Sequence, residues 1–316
     1  MKKSTKILLI IGGSLMGLGI VCFVIAGASV GFDFSSMYEK TEYEKRMVEY
    51  DGTIDTLQLC SISDNIKLLP SEDKKTRLEY YESKDEKVGY VVDREKSSSN
   101  EKGKLMVHQE NNYEWYENIF RFDFSSFTED RSLTVYLPAD EYDSIILETI
   151  SGDISLKKDM ELKSEFKIND TSGNITVENV KHGGNTKIYC VSGNVSLKNT
   201  VSKLSVDVSS ISGSILLDNA DAGKRLDIKS TSGNIKIKNV SSDESFLETV
   251  SGNIDVSKFD TKNLKAKTIS GDVEGCLGYD GVFSTSTVSG EIRVPSAVDA
   301  SRKYSFETIS GNIELR

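Results

Sequence analysis

From about residue 145 onward, apolar and polar residues alternate with a period of two, and Ser-Gly interrupts the alternation nine times. The interruptions are Ser151-Gly152-Asp153-Ile154, Ser172-Gly173-Asn174-Ile175, Ser192-Gly193-Asn194-Val195, Ser212-Gly213-Ser214-Ile215 and Ser232-Gly233-Asn234-Ile235, followed by Ser251-Gly252-Asn253-Ile254, Ser270-Gly271-Asp272-Val273, Ser289-Gly290-Glu291-Ile292 and Ser310-Gly311-Asn312-Ile313. Successive serines lie 21, 20, 20, 20, 19, 19, 19 and 21 residues apart. Four residues before the serine stand Leu147, Ile168, Ile188, Val208, Ile228, Leu247, Ala266, Thr285 and Phe306. Two before it runs a row of mostly small residues that includes Thr149, Asp170, Cys190, Ser210 and Thr308. Polar residues such as Glu148, Asn169, Lys229 and Glu307 fall between the two rows. Side chains two apart on an extended chain share a face, so each segment reads as a strand with one buried side. After the glycine the alternation resumes, as in Ile154 and Leu156 or Ile235 and Ile237.

Each unit is therefore strand, Ser-Gly corner, strand and polar connection. Glycine reaches backbone conformations that a Cβ forbids, and an adjacent Asn or Asp tolerates the left-handed region. A single unit is too small to bury its apolar side, whereas a stack buries one continuous column with strands ~4.8 Å apart. The expected fold is all-β, a parallel β-solenoid (β-helix) whose coils follow the spacing of the serines. A leucine-rich repeat shares the period but requires a Leu-x-x-Leu-x-Leu pattern that this chain lacks. An antiparallel sandwich would not require identical corners at constant spacing. The eighteen corner residues, Ser and Gly of each copy, are thus structural.

The residue just before each serine resists simple alternation. Ile150, Thr171, Val191, Ile211, Thr231, Val250, Ile269, Val288 and Ile309 are all β-branched, although parity turns them outward. A bulge at the corner that re-aims them inward is the simpler expectation. The alternative is an exposed ribbon that would serve as a contact surface.

The N-terminal part is different. Lys2, Lys3 and Lys6 precede an uncharged apolar run over residues 7–32, long enough at ~1.5 Å per residue to cross a ~30 Å bilayer core. One N-terminal transmembrane helix is expected, with the lysines cytoplasmic and the remainder extracellular. A cleaved signal peptide, for which Ala26-Gly27-Ala28 offers a site, is the alternative. Three regions follow: 1–32, cytoplasmic tip and anchor; 33–144, an acidic β-rich lead-in with N-terminal coils or cap; 145–316, the nine-repeat solenoid. Residues 33–50 suit a stalk or first edge strand. Residues 57–68 read as an atypical leading coil with its glycine lost, and Leu57 aligns with Leu147. Strands are expected at 77–81, 90–93, 104–109 and 133–137, with a loop over 94–104. Among the aromatic residues from Tyr113 to Phe127, Trp115 and Tyr116 are a possible contact surface, although a lid over the first coil is the simpler expectation for the cluster. At the other end, only five residues follow Gly311, which leaves the final coil as the expected open edge.

The formal charge of −10 is uneven: residues 31–144 carry 15 Lys/Arg against 26 Asp/Glu, and residues 145–316 carry 21 against 23. No basic footprint for nucleic acid is present. The two histidines, His108 and His182, have no catalytic partner placed by sequence. The Asp153, Asn174, Asn194, Asn234, Asn253, Asp272 and Asn312 row reads as turn chemistry and not as a calcium site, so no metal or cofactor is expected. Outward acids Glu148, Glu248, Glu274, Glu291 and Glu307 alternate with lysines, as on a solvated face, which argues against a polysaccharide-cleaving β-helix. Cys190 falls in the inward row and reads as a small buried filler.

A membrane helix, an acidic lead-in and Ser-Gly-Asn/Asp-Ile/Val repeated to the end make the chain similar to the bacterial "putative adhesin" β-strand-repeat family, with its LiaG-type, membrane-anchored members. The resemblance implies an extracytoplasmic β-solenoid and defines no catalytic or binding residues. The expected function is a non-enzymatic surface protein for adhesion or partner binding, anchored in the cell membrane and contacting a protein or cell-wall glycan. Some relatives accompany regulatory proteins, so an accessory of a cell-envelope stress system is the alternative.

Overall fold

The computed structural model describes residues 41–50, 53–95, 103–112, 131–138, 141–296 and 301–316. Nearly all belong to one compact unit built from residues 43–112 and 126–316. Among the described residues no helix is long and apolar enough to cross a membrane. The expected anchor over residues 7–32 lies outside them, as do Trp115 and Tyr116.

The repeats form a parallel β-solenoid with two ladders that meet at the Ser-Gly corners. Before the corner, Glu141–Ser151, residues 165–172, Asn185–Ser192, Ser205–Ser212 and Arg225–Ser232 pair in sequence order. After the corner, residues 154–162, Ile175–His182, Val195–Lys198 and Ile215–Asp221 do the same. Rows align residue for residue, so Leu147, Ile168, Ile188, Val208, Ile228 and Leu247 stack into one buried column. Ile154, Ile175, Val195, Ile215, Ile235 and Ile254 stack into the facing one. β-branched and leucine side chains suit such a pleated, fully buried surface.

The corner explains why its residue types recur. Seven of the nine corner glycines donate N–H to the serine carbonyl of the next coil, as in Gly173 to Ser192 at 3.0 Å and Gly193 to Ser212 at 2.9 Å. The next side chain along, Asn or Asp, accepts from the backbone N–H of its counterpart one coil on: Asn174 N to Asp153 Oδ1 at 2.7 Å and Asn253 N to Asn234 Oδ1 at 2.8 Å. Hydrogen bonding along the stack thus consumes the acceptors of the Asx row, which is the turn chemistry expected of it. A second asparagine ladder, Asn179, Asn199, Asn219 and Asn239, turns the chain after the post-corner strand. All four have φ between 50° and 62°, and their amides bond in series at 2.7–3.0 Å. Asparagine pays little for that left-handed conformation.

At the N-terminal end the coil of Ile54–Ser61 and Asn65–Pro70 pairs with repeat one, so an atypical leading coil is present. Its register differs from the sequence alignment: Leu59, not Leu57, sits beside Leu147, and Ile66 beside Ile154. The corner is therefore Ser63-Asp64-Asn65, with Asp64 in the place of the glycine. A side chain fits there because it begins the column and does not press on an earlier corner. Asp64 is buried, and its carboxylate accepts from Tyr90 Oη at 2.9 Å and from Gln109 Nε2 at 3.4 Å, with Arg131 Nε at 3.5 Å. Burial raises the Asp64 carboxyl above its ordinary value, and the Tyr90 and Arg131 contacts oppose the rise. The Gln109 carbonyl meanwhile accepts from Ile62 N and Ser63 N at 2.6 and 3.1 Å, closing a corner that lacks a stacked partner. Removing the hydroxyl in Tyr90→Phe leaves a buried carboxylate short of a donor. The expected loss is about 1–3 kcal/mol, read as a lower urea midpoint at pH 7.

Beyond this coil lie Gly103–Asn111 and Ser132–Leu137, and antiparallel strands then close the end. Val88–Glu95 pairs with the first, Thr76–Ser83 with the second, and Tyr43–Tyr50 lies outermost. Residues 43–50 are thus the edge strand that their composition allowed.

The C-terminal end departs from sequence order. Residues 263–267 pair with Lys303–Glu307, which in turn pairs with Val282–Ser286. Across the corner, Val273–Leu277 pairs with Ile313–Leu315, and that strand with Ile292–Arg293. Repeat nine is therefore inserted between repeats seven and eight, and the corner serines bridge in the order Ser270, Ser310, Ser289. The expectation that the final coil forms the open edge is corrected: repeat eight forms it. Tyr304 and Phe306, both buried, make the last repeat the better interior layer, whereas repeat eight offers Phe283 and Thr285 at the same places.

Candidate contact surface

No bulge occurs at the corners. The twenty-residue offset that pairs Cys190 with Asp170 also pairs Ser192 with Ser172, so no extra residue intervenes. Parity prevails and the residue before each serine faces outward. Ile150, Ile211, Val250, Ile269, Ile309 and Val288 are 42–81 % exposed. Thr171 and Thr231 are exposed as well, and Val191 is half-buried. The bulge expectation is thus overturned in favour of the ribbon. Nine β-branched side chains one strand spacing apart run ~38 Å along the solenoid. Each costs little alone, but a row of exposed apolar side chains along one surface marks a contact site.

At the N-terminal end of the ribbon lies a shallow groove of about 550 Å³, which includes Cys60, Gln109, Glu148, Ile150, Asn169, Asp170 and Tyr189. Glu148 holds Asn169 Nδ2 at 2.7 Å, with Lys167 at 3.7 Å and Cys60 Sγ at 3.7 Å. Burial and the Glu148 charge push the Cys60 thiol up, so it stays protonated at neutral pH. That is the opposite of an activated nucleophile, which needs a lowered value.

Beneath the ribbon lies the inward row of small residues. Thr249, Thr268, Thr308 and Thr287 each donate to a corner glycine carbonyl on the neighbouring coil at 3.0–3.1 Å. Asp170 is the exception: a buried carboxyl that accepts from Ser172 N at 3.1 Å, with Cys190 Sγ 3.9 Å away. Burial raises its value to about 6, and the nearby Asp153 charge adds to the rise. Cys190 is buried as expected, and the same environment pushes its thiol to about 11.

The remaining candidates do not converge. His108 lies 3.6 Å from Glu110. His182 is buried against Phe166, and burial lowers its value. Glu148 and Glu307 are held by Lys167 and Lys265 before the corner, and Glu291 by Arg293 after it. Glu248 and Glu274 are exposed on the two different ladders. The feature that unites the repeats on the outside is the ribbon. Its signal was the β-branched column itself.

Corner glycines, stacked Asx side chains and an outer ribbon define a repeat protein of the parallel β-solenoid class. Residues 54–316 match the family model described as Toastrack DUF4097, and the chain belongs to that family. No curated protein matches it. Among the similar solved structures are the following three. A "putative adhesin" from Bacteroides fragilis is 13 % identical, with 87 % of this chain and 97 % of that chain covered and a TM-score of 0.42. One from Parabacteroides merdae is 16 % identical, covering 87 % and 96 %, with a TM-score of 0.46. A "putative cell adhesion protein" from Clostridium sporogenes is 12 % identical, covering 87 % and 99 %, with a TM-score of 0.25.

Proposed function

We propose that this chain is a non-enzymatic, membrane-anchored extracytoplasmic protein whose solenoid works by contact, in adhesion or partner binding. The observation that carries this reading is the ribbon from Ile150 to Val288. It spans the repeats, exposes apolar branched side chains and leaves the core intact without them. The corner needs only Ser-Gly-Asx, so the hydrophobic residue ahead of the serine has no packing reason to be there. The apolar run at residues 7–32, with lysines ahead of it, supports the anchor and its orientation.

Ile211, Val250 and Ile269 replaced together by lysine test this in the full chain. Substitutions at exposed positions cost little stability individually, so the melting temperature is expected to stay within a few degrees. Cells displaying the parent chain are expected to retain purified wall, isolated glycan or host-surface material that cells displaying the variant release. Equal retention by both, or none by the parent on any material, overturns the reading.

A further inference from the structure

The two ends of the solenoid are built differently. At the N-terminal end the outer strands are antiparallel additions bearing charges: Glu44, Lys45, Arg46 and Glu49 on Tyr43–Tyr50, and Asp93, Arg94 and Glu95 on Val88–Glu95. Charges on edge strands oppose pairing with another chain. At the C-terminal end the last strand of the pre-corner ladder is Val282–Ser286, and among the described residues it pairs only with Lys303–Glu307. Its sequence is Val-Phe-Ser-Thr-Ser. From repeat one onward, every other strand of that ladder carries at least one charged residue; this one carries none. The strand sequence order would have placed last, Lys303–Glu307, carries two and is interior.

Its hydrogen bonding is half used. Val282 N donates to the Arg302 carbonyl at 2.9 Å, and the Ser286 carbonyl accepts from Thr308 N at 2.9 Å. In a parallel pair alternate residues address the same neighbour. Val282, Ser284 and Ser286 therefore face the interior strand, and Phe283 and Thr285 direct their N–H and C=O groups to the open edge. Phe283 and Thr285 are also the inward side chains at the end of the core, both half-buried, and Phe283 lies 5.6 Å from the Tyr304 ring.

We propose that this edge pairs antiparallel with the same strand of a second copy, about a two-fold axis at Ser284. The register is self-complementary. Phe283 comes opposite Thr285 of the copy, and that pair exchanges both of its free hydrogen bonds, twice over by symmetry. Val282 comes opposite Ser286, and Ser284 opposite itself. No like charges meet. An axis normal to the ladder keeps inner faces on the same side, so the two open core ends cover one another. The charged N-terminal edges make a head-to-tail contact unfavourable, which leaves the two-fold, isologous arrangement. This inference is independent of what the ribbon contacts.

Ser284 is exposed, so changing it leaves the monomer's packing untouched. In the proposed pair it occupies the close, non-hydrogen-bonded position, with Cα atoms ~4.5 Å apart, within reach of a disulfide. The full chain carrying Cys276→Ser is compared with the same chain carrying Ser284→Cys as well, under mild oxidation. Ser209→Cys, on the outer face of an interior strand and in the row of Ser286, is the control. The Ser284→Cys chain is expected to give a reductant-sensitive dimer band several-fold stronger than the control. Ser284→Lys alone is expected to lower the self-associated fraction in sedimentation, and mixing it with Ser284→Asp to restore a mixed dimer. Cross-linking no greater than the control, cross-linking to a protein of another mass, or failure of the charge pair to restore association overturns the proposal.

Discussion

Gly193→Ala is expected to cost about 2–6 kcal/mol of stability, the sum of two penalties of ~1–3 kcal/mol each, for overpacking and for a backbone region reserved to glycine. A Cβ on Gly193 would lie 1.7 Å from the Gly173 carbonyl oxygen, and the residue has φ near +149°. The obstacle is backbone, so no side-chain rotation relieves it. Moving that carbonyl would turn the peptide whose Asn174 N donates to Asp153 Oδ1 at 2.7 Å. The urea midpoint is expected to fall with little change in slope. Gly278→Ala, whose nearest neighbour would be the Phe259 carbonyl oxygen at 3.6 Å, is expected to stay within about 0.5 kcal/mol of the parent. Equal losses at the two sites would show that the corner column is not sterically closed.

The same steric fact explains what was legible from sequence. A corner that admits no Cβ forces glycine at every turn, and an alternating strand on either side forces the period-two pattern. Stacking then repeats both at one spacing. Fold class, buried columns and the structural role of the corners follow from that. The ribbon was legible as a column of β-branched residues, but a bulge and plain alternation predict the same letters, and only the register distinguishes them. The Asn179, Asn199, Asn219 and Asn239 ladder recurs at the same period but runs through only four repeats, so it stands out less than the ninefold corner. The leading coil was misregistered because Asp64, not a missing residue, replaces its glycine. Its network with Tyr90, Gln109 and Arg131 joins residues far apart in sequence.

The order of the last two repeats was not legible for a deeper reason. Stack positions are nearly equivalent, so the periodic residues of repeats eight and nine fit either place. What separates them lies off the period: charge on Lys303–Glu307 against none on Val282–Ser286, and two full aromatic layers, Tyr304 and Phe306, where the outer repeat has Phe283 and Thr285. This order buries repeat nine and presents repeat eight at the edge. It also leaves the strand with the fewest barriers to pairing as the exposed one.

Asp170→Thr is expected to stabilise the protein at pH 8 and to lose most of that advantage at pH 4. Every other repeat places Thr, Ser or Cys at this position, and four of the threonines donate to a corner glycine carbonyl. Asp170 has a folded value of about 6 against an ordinary 3.8, with burial the main cause. The folded state thus holds its proton more tightly than the unfolded chain does. Below about pH 4 the group is neutral in both states and imposes no ionisation cost. As pH rises from there through 6, the unfolded chain ionises first and stability is lost, by at most about 3 kcal/mol at 1.36 kcal/mol per unit. Cys190, raised to about 11, stays neutral throughout this window. Asp64, also raised, is common to both chains and cancels in the comparison. Urea midpoints measured at intervals between pH 4 and 8 are expected to diverge in that sense, the variant gaining on the parent as pH rises. Parallel profiles would mean that Asp170 ionises in the folded protein as readily as in the unfolded chain, and that the small-residue row tolerates a charge.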